Sequence, residues 1–420
     1  MLRFHHALCH IGFSTIRKIG KLGWLCTKGL QLGDNTTTTP LCSSCQYGKG
    51  HQRNTGAMTK QPIPSSEGAI SKDQLDRGDL VCMDHFTVKE LGRLWGTRGQ
   101  ESDDRHYTGG TIFVDVASGR IELKFQVSIS APDTIKSKME FERLCLSYGF
   151  MVKKYRTDNG TFTAQSMHSH IEELGQTITF SGVGAQHQNG IAERAIKTVS
   201  EAARTIMLHA ALRWPDAYDP ALWPMAMQYA CDIYNEIPRG LGDISPEEIF
   251  SSFHSTHSRL LNARAWGCPV YVLEPRLTAG GKLPKWQPKT RRGQFLGFSK
   301  KHSSTVGMIR NLRTGSISPQ FHCVYDSEFE TVASSDGTAP PTELISSLII
   351  NMLLLWMMTL LIFLCQMNGS LLKRLQLDRN FISRRRLPPQ YSLRPLHNIL
   401  SLFHQTMWFT SLTLLHLLPP

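Results

Sequence analysis

The stretch MVKKYRTDNG, residues 151–160, predicts a short β-strand that ends in a tight turn. The strand is expected over Met151–Arg156, and Asp158-Asn159-Gly160 supplies the residue types that favour turns. An aspartate in such a sequence is usually a turn former, so Asp158 alone does not indicate chemistry. A catalytic site at this position would need other acidic residues close to Asp158.

A second acidic residue lies in QNGIAER, residues 188–194, at the start of a long predicted helix. The helix is expected over Gly190–Leu212, because apolar residues recur there with helical spacing. Glu193 lies about 200° around the helix from Ile191, at about 100° per residue, so it points away from the buried stripe. Taken alone, it could simply form an ion pair with Lys197 one turn later.

A third carboxylate, Asp84, ends the apolar stretch LVCMD at residues 80–84. Three such groups in one α/β segment can hold two divalent metals for in-line attack on a phosphodiester. Mg²⁺, or Mn²⁺ in its place, prefers oxygen ligands of this kind. We expect Asp84 to bridge both metals, and Asp158 and Glu193 to hold one metal each. Asp115, at the end of another predicted strand, is the alternative to Asp84.

The N-terminal region contains a pattern typical of a zinc site. His5 and His10 are separated by four residues, and Cys42 and Cys45 by two. Two imidazoles and two thiolates satisfy tetrahedral Zn²⁺ without an open position, which favours a structural role. His6 is an alternative to His5 as the first ligand.

The chain is strongly basic, with a formal net charge of +12 and a pI near 9.3. Such an excess favours a polyanionic partner, either nucleic acid or an acidic membrane surface. Each basic residue could instead be an ordinary solvated surface residue. The amide side chains of Gln188 and Asn189, before the long helix, could instead belong to a loop or cap the helix. The residues predicted to contact nucleic acid are Lys154, Arg156, Gln188, Asn189, Arg194 and Lys197.

The ten cysteines are scattered, and only one pair is closely spaced. This distribution excludes a small secreted disulfide scaffold and favours a reducing compartment. The N-terminus lacks the apolar segment of a signal peptide.

Local patterns predict alternating strands and helices after a Pro/Ser/Gly linker. Thr111–Val116 and Ile121–Val127 suggest a hairpin, and Ser130 to Asp133 resembles a capping box that opens a helix. The expected organisation is a zinc-binding module at 1–55, a linker at 56–77, an α/β core with its following helices at 78–250, a small β-rich, barrel-like domain at 251–333 and a tail of different composition at 334–420.

The tail contains an apolar segment, residues 344–367, with no charged residue. Its length and hydropathy qualify it as a candidate transmembrane helix. The rival hypothesis is that a frameshift has replaced a polar, acidic sequence with an out-of-frame translation.

Together these motifs resemble the integrase of a copia-type LTR retrotransposon, which is part of a Pol polyprotein. The match runs over about residues 4–330, in the order in which the family arranges its motifs. Its elements are His5/His10/Cys42/Cys45 with the following QYGK, Asp84, RTDNG around Asp158, QNGIAER around Glu193, ALWP from Ala221 to YNEIP at Pro238, AWGCPVY from Ala265, and RRGQFLGF ending at Phe298.

The resemblance implies an RNase H-like core, Mg²⁺ or Mn²⁺ at the three carboxylates, Zn²⁺ at the HHCC quartet and insertion of element DNA into host DNA. It also implies homo-oligomers, a cytoplasmic particle followed by the nucleus as location, and a truncated copy of the polyprotein. Two other functions stay open. One is a catalytically inactive DNA-binding remnant, and the other is a membrane-anchored protein that retains the integrase domain.

Overall fold

A computed structural model describes residues 1–25, 39–50, 74–95, 106–158, 161–181, 189–238 and 243–332. These residues belong to one compact unit, Met1–Pro340, and a second unit, Pro341–Pro420, lies outside them. In the described ranges, no helix is both long and apolar enough to cross a membrane. The apolar segment 344–367 is outside the described residues, and so is Gln188.

The described part of the N-terminal module contains three short helices. Its elements are α1 (Leu2–Ala7), α2 (Phe13–Lys21) and α3 (Ser43–Gly48). Such short helices are marginal in isolation, so the module depends on its packing and on the cluster of His and Cys side chains described below.

The central sheet is mixed, with the strand order β3-β2-β1-β4-β5. Strands β1, β2 and β3 are antiparallel, whereas β4 runs parallel to β1 and β5 parallel to β4. Their bounds are β1 (Val81–Gly92), β2 (Tyr107–Asp115), β3 (Ile121–Gln126), β4 (Lys154–Thr157) and β5 (Thr177–Phe180).

Helices cover both faces of this sheet. Side chains alternate along β1, so Val81 and Met83 pack on one face and Cys82 and Phe86 on the other. The first face meets α4 and α5, and the second meets α6 and α7. The helix bounds are α4 (Ala131–Ser147), α5 (Gln165–Glu173), α6 (Gly190–Arg213), α7 (Trp223–Glu236), α8 (Pro246–Ser251) and α9 (Ser258–Leu261).

A second, antiparallel sheet follows the core, with the strand order β10-β6-β7-β8-β9. Its core side chains share one hydrophobic cluster with α6, α7 and the N-terminal module. The elements are β6 (Pro269–Leu273), α10 (Pro275–Thr278), β7 (Thr290–Phe298), β8 (Gly307–Asn311), β9 (Ile317–Gln320) and β10 (Cys323–Tyr325). The predicted fold class, an α/β core preceded by an HHCC module and followed by a β-rich part, is confirmed.

Local sequence signals account for several element boundaries. The Ser130 side chain accepts a hydrogen bond from the Asp133 backbone N–H and opens α4, as the capping pattern predicts. The predicted hairpin is formed by β2 and β3, and Gly119 adopts a φ of 72° in its turn. That left-handed conformation favours glycine.

Candidate metal centres

The predicted HHCC quartet comes together in the N-terminal module. His5 Nε2 lies 3.2 Å from both His10 Nδ1 and Cys45 Sγ, and Cys42 Sγ lies 3.3 Å from His10 Nδ1. Tetrahedral Zn²⁺ with bonds of about 2.0–2.3 Å places its ligand atoms about 3.3–3.8 Å apart. In the described part of the chain, no other group of three or more His, Cys, Asp or Glu side chains converges in this way.

Backbone geometry selects His5 over His6 as the first ligand. Cys9 and His10 both adopt positive φ, 55° and 56°, and this turn brings His10 back to the end of α1. The Nδ1 of His5 lies 2.8 Å from the Ile11 carbonyl, to which it can donate a hydrogen bond. That bond fixes the tautomer in which Nε2 is free to bind a metal, an arrangement common around zinc ligands.

The protonation states of the quartet suit a metal cation. Burial lowers the pKa of His10 to about 4, so its imidazole is neutral at physiological pH. Hydrogen bonds from Cys45 and the neighbouring imidazoles lower the pKa of Cys42 well below its usual range. The Cys42–Cys45 hydrogen bond and burial raise the pKa of the Cys45 thiol. A donor set of two imidazoles and two sulfurs, one of them a readily formed thiolate, fits Zn²⁺.

The quartet is packed directly against α6. Ser44 Oγ lies 3.2 Å from Nδ1 of His209, and the rings of His6 and His209 lie 4.2 Å apart. The side chains of His6 and His209 are both buried. The role of His6 is therefore to pack the module onto the helix that also contains Glu193.

The three predicted carboxylates come from separate elements of the core. Asp84 lies in β1, Asp158 directly follows β4, and Glu193 is in the first turn of α6. The parallel strands β1 and β4 pair at Val81 with Tyr155 and at Cys82 with Arg156, so Asp84 and Asp158 each lie two residues beyond the last pair. Glu193 is exposed and points away from the buried side of α6, as expected.

The carboxylates interact electrostatically. Burial raises the pKa of Asp84 to about 6, and the nearby Asp158 and Glu193 charges contribute to the rise, against a hydrogen bond from the His85 N–H. Hard oxygen donors in this arrangement fit a divalent cation such as Mg²⁺. Their catalytic roles stay predictions.

Asp115, the alternative to Asp84, has a structural role. Its side chain is fully buried, and it accepts hydrogen bonds from the backbone N–H groups of Gly78 and Ser118, at 2.9 Å each. The Ser118 hydroxyl also donates to it. These bonds hold the β2–β3 turn and occupy the carboxylate.

Sequence reasoning missed His85, which follows Asp84 in β1. Its ring stacks on Phe162 at 4.0 Å between centroids, and its Nε2 lies 3.0 Å from the Thr134 hydroxyl of α4. Phe162 belongs to the short 3₁₀ turn Thr161–Thr163 that follows Asp158. His85 therefore links β1 to the segment after Asp158, a contact between distant residues that no local pattern reveals.

The residues predicted to contact nucleic acid have different environments. Lys154 and Arg156 are half-buried in β4, whereas Arg194 and Lys197 are exposed on α6. Lys197 lies 3.9 Å from Glu201, so its i,i+4 partner is not Glu193. Asn189 is fully buried and its observed contact is internal. Contact with nucleic acid stays a prediction for all of them.

A second basic surface was missed, although the sequence signals it. The connection between β6 and β7, together with the start of β7, exposes cationic side chains near Trp286, which is itself 88% exposed. Among the described residues, no acidic side chain forms an ion pair with these cations. We call this surface the basic arm: Arg276, Lys282, Lys285, Trp286, Lys289 and Arg292.

Comparison of sequences links the chain to a retrotransposon. No protein-family model matches it. It is 24% identical over 268 residues to the retrovirus-related Pol polyprotein from transposon TNT 1-94 of Nicotiana tabacum. The match covers 61% of this chain and 18% of that much longer protein. The resemblance to a retrotransposon Pol polyprotein is thereby confirmed.

Comparison of structures returns retroviral integrases. The HTLV-2 integrase catalytic core domain in complex with magnesium is 15% identical, covering 42% of this chain and 98% of that chain, with a TM-score of 0.30. The catalytic core domain of BIV integrase is 20% identical, covering 42% and 95%, with a TM-score of 0.29. A simian T-cell lymphotropic virus intasome in complex with PP2A regulatory subunit B56 gamma is 12% identical, covering 59% and 77%, with a TM-score of 0.32.

Proposed function

We propose, from the similarity of this chain to a retrotransposon Pol polyprotein, that it is an integrase that joins element DNA ends to host DNA by metal-dependent polynucleotidyl transfer. The observation that carries the proposal is that the charges of Asp158 and Glu193 act on Asp84 and help to raise its pKa. Asp84 lies in β1, Asp158 directly follows the parallel strand β4, and Glu193 is in the first turn of α6.

The protein's part in the reaction is to hold three oxygen ligands on one side of the sheet. Asp84 lies in β1, Asp158 follows the adjacent parallel strand β4, and Glu193 would join them from the first turn of α6. Divalent metals bound there would activate the attacking hydroxyl and stabilise the leaving oxygen. Basic residues near the carboxylates, such as Arg194 and Lys197, would offset the charge of the DNA phosphates.

Zinc would have a separate, structural role in this protein. His5, His10, Cys42 and Cys45 would hold it without an open position for a substrate. Because the quartet packs on α6, zinc would fix the N-terminal module against the helix that contains Glu193.

Nucleic acid is the partner that the charge distribution favours. The net charge is +12, and the basic arm combines exposed cations with an exposed tryptophan. Cations neutralise phosphates, and an aromatic ring can stack on an unpaired base. We further propose that the protein acts as a homo-oligomer in the nucleus, because insertion into a chromosome needs two DNA ends and access to host DNA.

A DNA-joining assay tests the proposal. The purified, zinc-loaded full-length chain is incubated with a labelled duplex that has the terminal sequence of its own element, in Mg²⁺, Mn²⁺ or EDTA. Joined products that need Mg²⁺ or Mn²⁺ are expected. Salt-sensitive DNA binding without joining under any condition would contradict the proposal and favour the second candidate, a DNA-binding remnant that the basic arm alone would explain.

A further inference from the structure

Asn189 connects the strand of one candidate metal ligand to the helix of another. Its side chain is fully buried, and its Nδ2 donates a hydrogen bond to the Met83 carbonyl at 3.2 Å. Met83 directly precedes Asp84 in β1. Asn189 directly precedes α6, and Glu193 follows it by four residues, about one helical turn.

The amide orientation is set by chemistry. The Met83 carbonyl is an acceptor, so the amide nitrogen must face it, because a rotated side chain would oppose two oxygens. Asn189 stands at the N-cap position of α6, yet its side chain makes no capping hydrogen bond there. Asparagine at an N-cap position usually caps the helix with its side chain, and the Asn189 side chain does not.

The three carboxylates differ in how their positions are fixed. Asp84 lies in β1 and Asp158 directly follows β4, and the backbones of these two strands are paired at Val81–Tyr155 and Cys82–Arg156. Glu193 comes from a helix, which can shift along a sheet face without breaking any strand pairing. A hydrogen bond from the start of that helix to the residue before Asp84 removes this freedom.

We infer that Asn189 is a positioning residue that holds Glu193 in register with Asp84 through its bond to the Met83 carbonyl. This inference rests on the proposed function, because it assigns Asn189 to the same metal site. Asn189 then has a role inside the protein in place of the direct DNA contact predicted from the sequence. Residues that orient metal ligands typically change metal affinity about 10–100-fold when they are substituted.

Asn235 provides a matched control. It is also a buried asparagine that bonds a helix to the central sheet, because its amide exchanges hydrogen bonds of 2.9 and 2.8 Å with the Ile121 backbone. It lies in α7 and contacts β3, the edge strand two strands away from β1. Asn189→Ala removes one buried hydrogen bond and Asn235→Ala removes the two with Ile121, and only Asn189→Ala affects the carboxylate site.

The test measures Mn²⁺ binding by electron paramagnetic resonance in the zinc-loaded, full-length protein. The site is defined as the Mn²⁺ binding that Asp158→Asn removes. Asn189→Ala is expected to weaken this binding about tenfold and to leave the affinity for duplex DNA unchanged. Asn235→Ala is expected to lower the melting temperature without changing Mn²⁺ affinity.

Three results would overturn the inference while the proposed function survives. They are unchanged Mn²⁺ affinity in Asn189→Ala, weaker DNA binding with normal Mn²⁺ affinity in that variant, and equal weakening of Mn²⁺ binding in Asn235→Ala. Wild-type protein without any Mn²⁺ binding that Asp158→Asn removes would overturn the proposed function, and the inference with it.

Discussion

Gly48 of α3 lies against Thr205 of α6 so closely that a Cβ atom on residue 48 would be 2.5 Å from the Thr205 Oγ1 and 3.0 Å from its Cα. Glycine is therefore required at this contact by space and not by backbone conformation. Together with the bond between Ser44 and His209, this close approach fixes the HHCC module on the helix that contains Glu193.

Gly48→Ala is predicted to destabilise the protein by about 1–3 kcal/mol, the usual effect of overpacking. The Thr205 backbone cannot move aside as a flexible side chain could. Differential scanning calorimetry of the zinc-loaded protein measures the effect. The control is Gly50→Ala, whose Cβ would meet its nearest atom at an ordinary 3.7 Å. Equal stabilities of the two variants would contradict the tight packing.

Zinc content is predicted to distinguish the two adjacent histidines. His5→Asn should lose bound zinc, because it removes a ligand atom that lies 3.2 Å from two of the others. His6→Asn should keep about one zinc per chain, since a structural site has four ligands. Mass spectrometry of the metal content after dialysis measures both. Retention by His5→Asn together with loss by His6→Asn would reverse the assignment.

A buried ion cluster is predicted to be important for stability. Glu122 of β3 is 5% exposed and lies 3.1–3.2 Å from Arg120, Lys124 and Lys300. Glu122→Gln leaves these cations without their shared partner and should cost about 3–5 kcal/mol, as measured by urea unfolding. Glu140→Gln is the control. The Glu140 side chain is 42% exposed and lies 3.9 Å from Lys124, so its loss should cost under about 1 kcal/mol.

The same glutamate predicts how stability depends on pH. Burial raises the pKa of Glu122, but the charges of Lys300, Arg120 and Lys124 outweigh it and hold the pKa well below its usual range. The stabilisation is therefore complete above the unfolded-state pKa of about 4.3 and is lost as the pH falls below it. Between pH 5 and pH 3, the wild type should lose more stability than Glu122→Gln. Parallel pH profiles would contradict this assignment.

The basic arm is predicted to contact DNA phosphates. Replacing Lys282, Lys285 and Lys289 together with Gln should reduce the slope of log affinity against log salt by about 0.9 for each phosphate that these lysines neutralise. Fluorescence anisotropy with a labelled duplex at several salt concentrations measures the slope. The control replaces three other exposed lysines, Lys21, Lys89 and Lys136. Equal slopes for the two triple variants would show that only net charge matters.

The parts of the fold that sequence predicts best are those that local chemistry decides. Ser130 caps α4 because its hydroxyl reaches a backbone N–H three residues later. The apolar stripe of α6, which includes Ala195 and Val199, is buried, and this orients the helix with Glu193 exposed. The spacing of the HHCC quartet predicts its convergence, because the ligands must meet at one point.

The parts that sequence does not predict depend on contacts between distant residues. His5 and His6 are equivalent by spacing, and only the Ile11 carbonyl and the turn at Cys9 and His10 distinguish them. By its residue type and position, Asn189 is predicted to contact DNA or to cap a helix. Its side chain instead forms a hydrogen bond with Met83, 106 residues earlier. The basic arm is different, because its clustered Lys and Arg residues around Trp286 could have been recognised from the sequence.

The central claim is that three carboxylates form one metal-dependent catalytic site, and a joining assay on matched variants tests it most directly. Asp84→Asn, Asp158→Asn and Glu193→Gln are compared with Glu201→Gln, two helical turns after Glu193 in α6. Each of the first three should abolish joining in Mg²⁺ and Mn²⁺ with DNA affinity retained, whereas Glu201→Gln should stay active. Joining that persists in any of the three, or is lost equally in Glu201→Gln, would contradict the account.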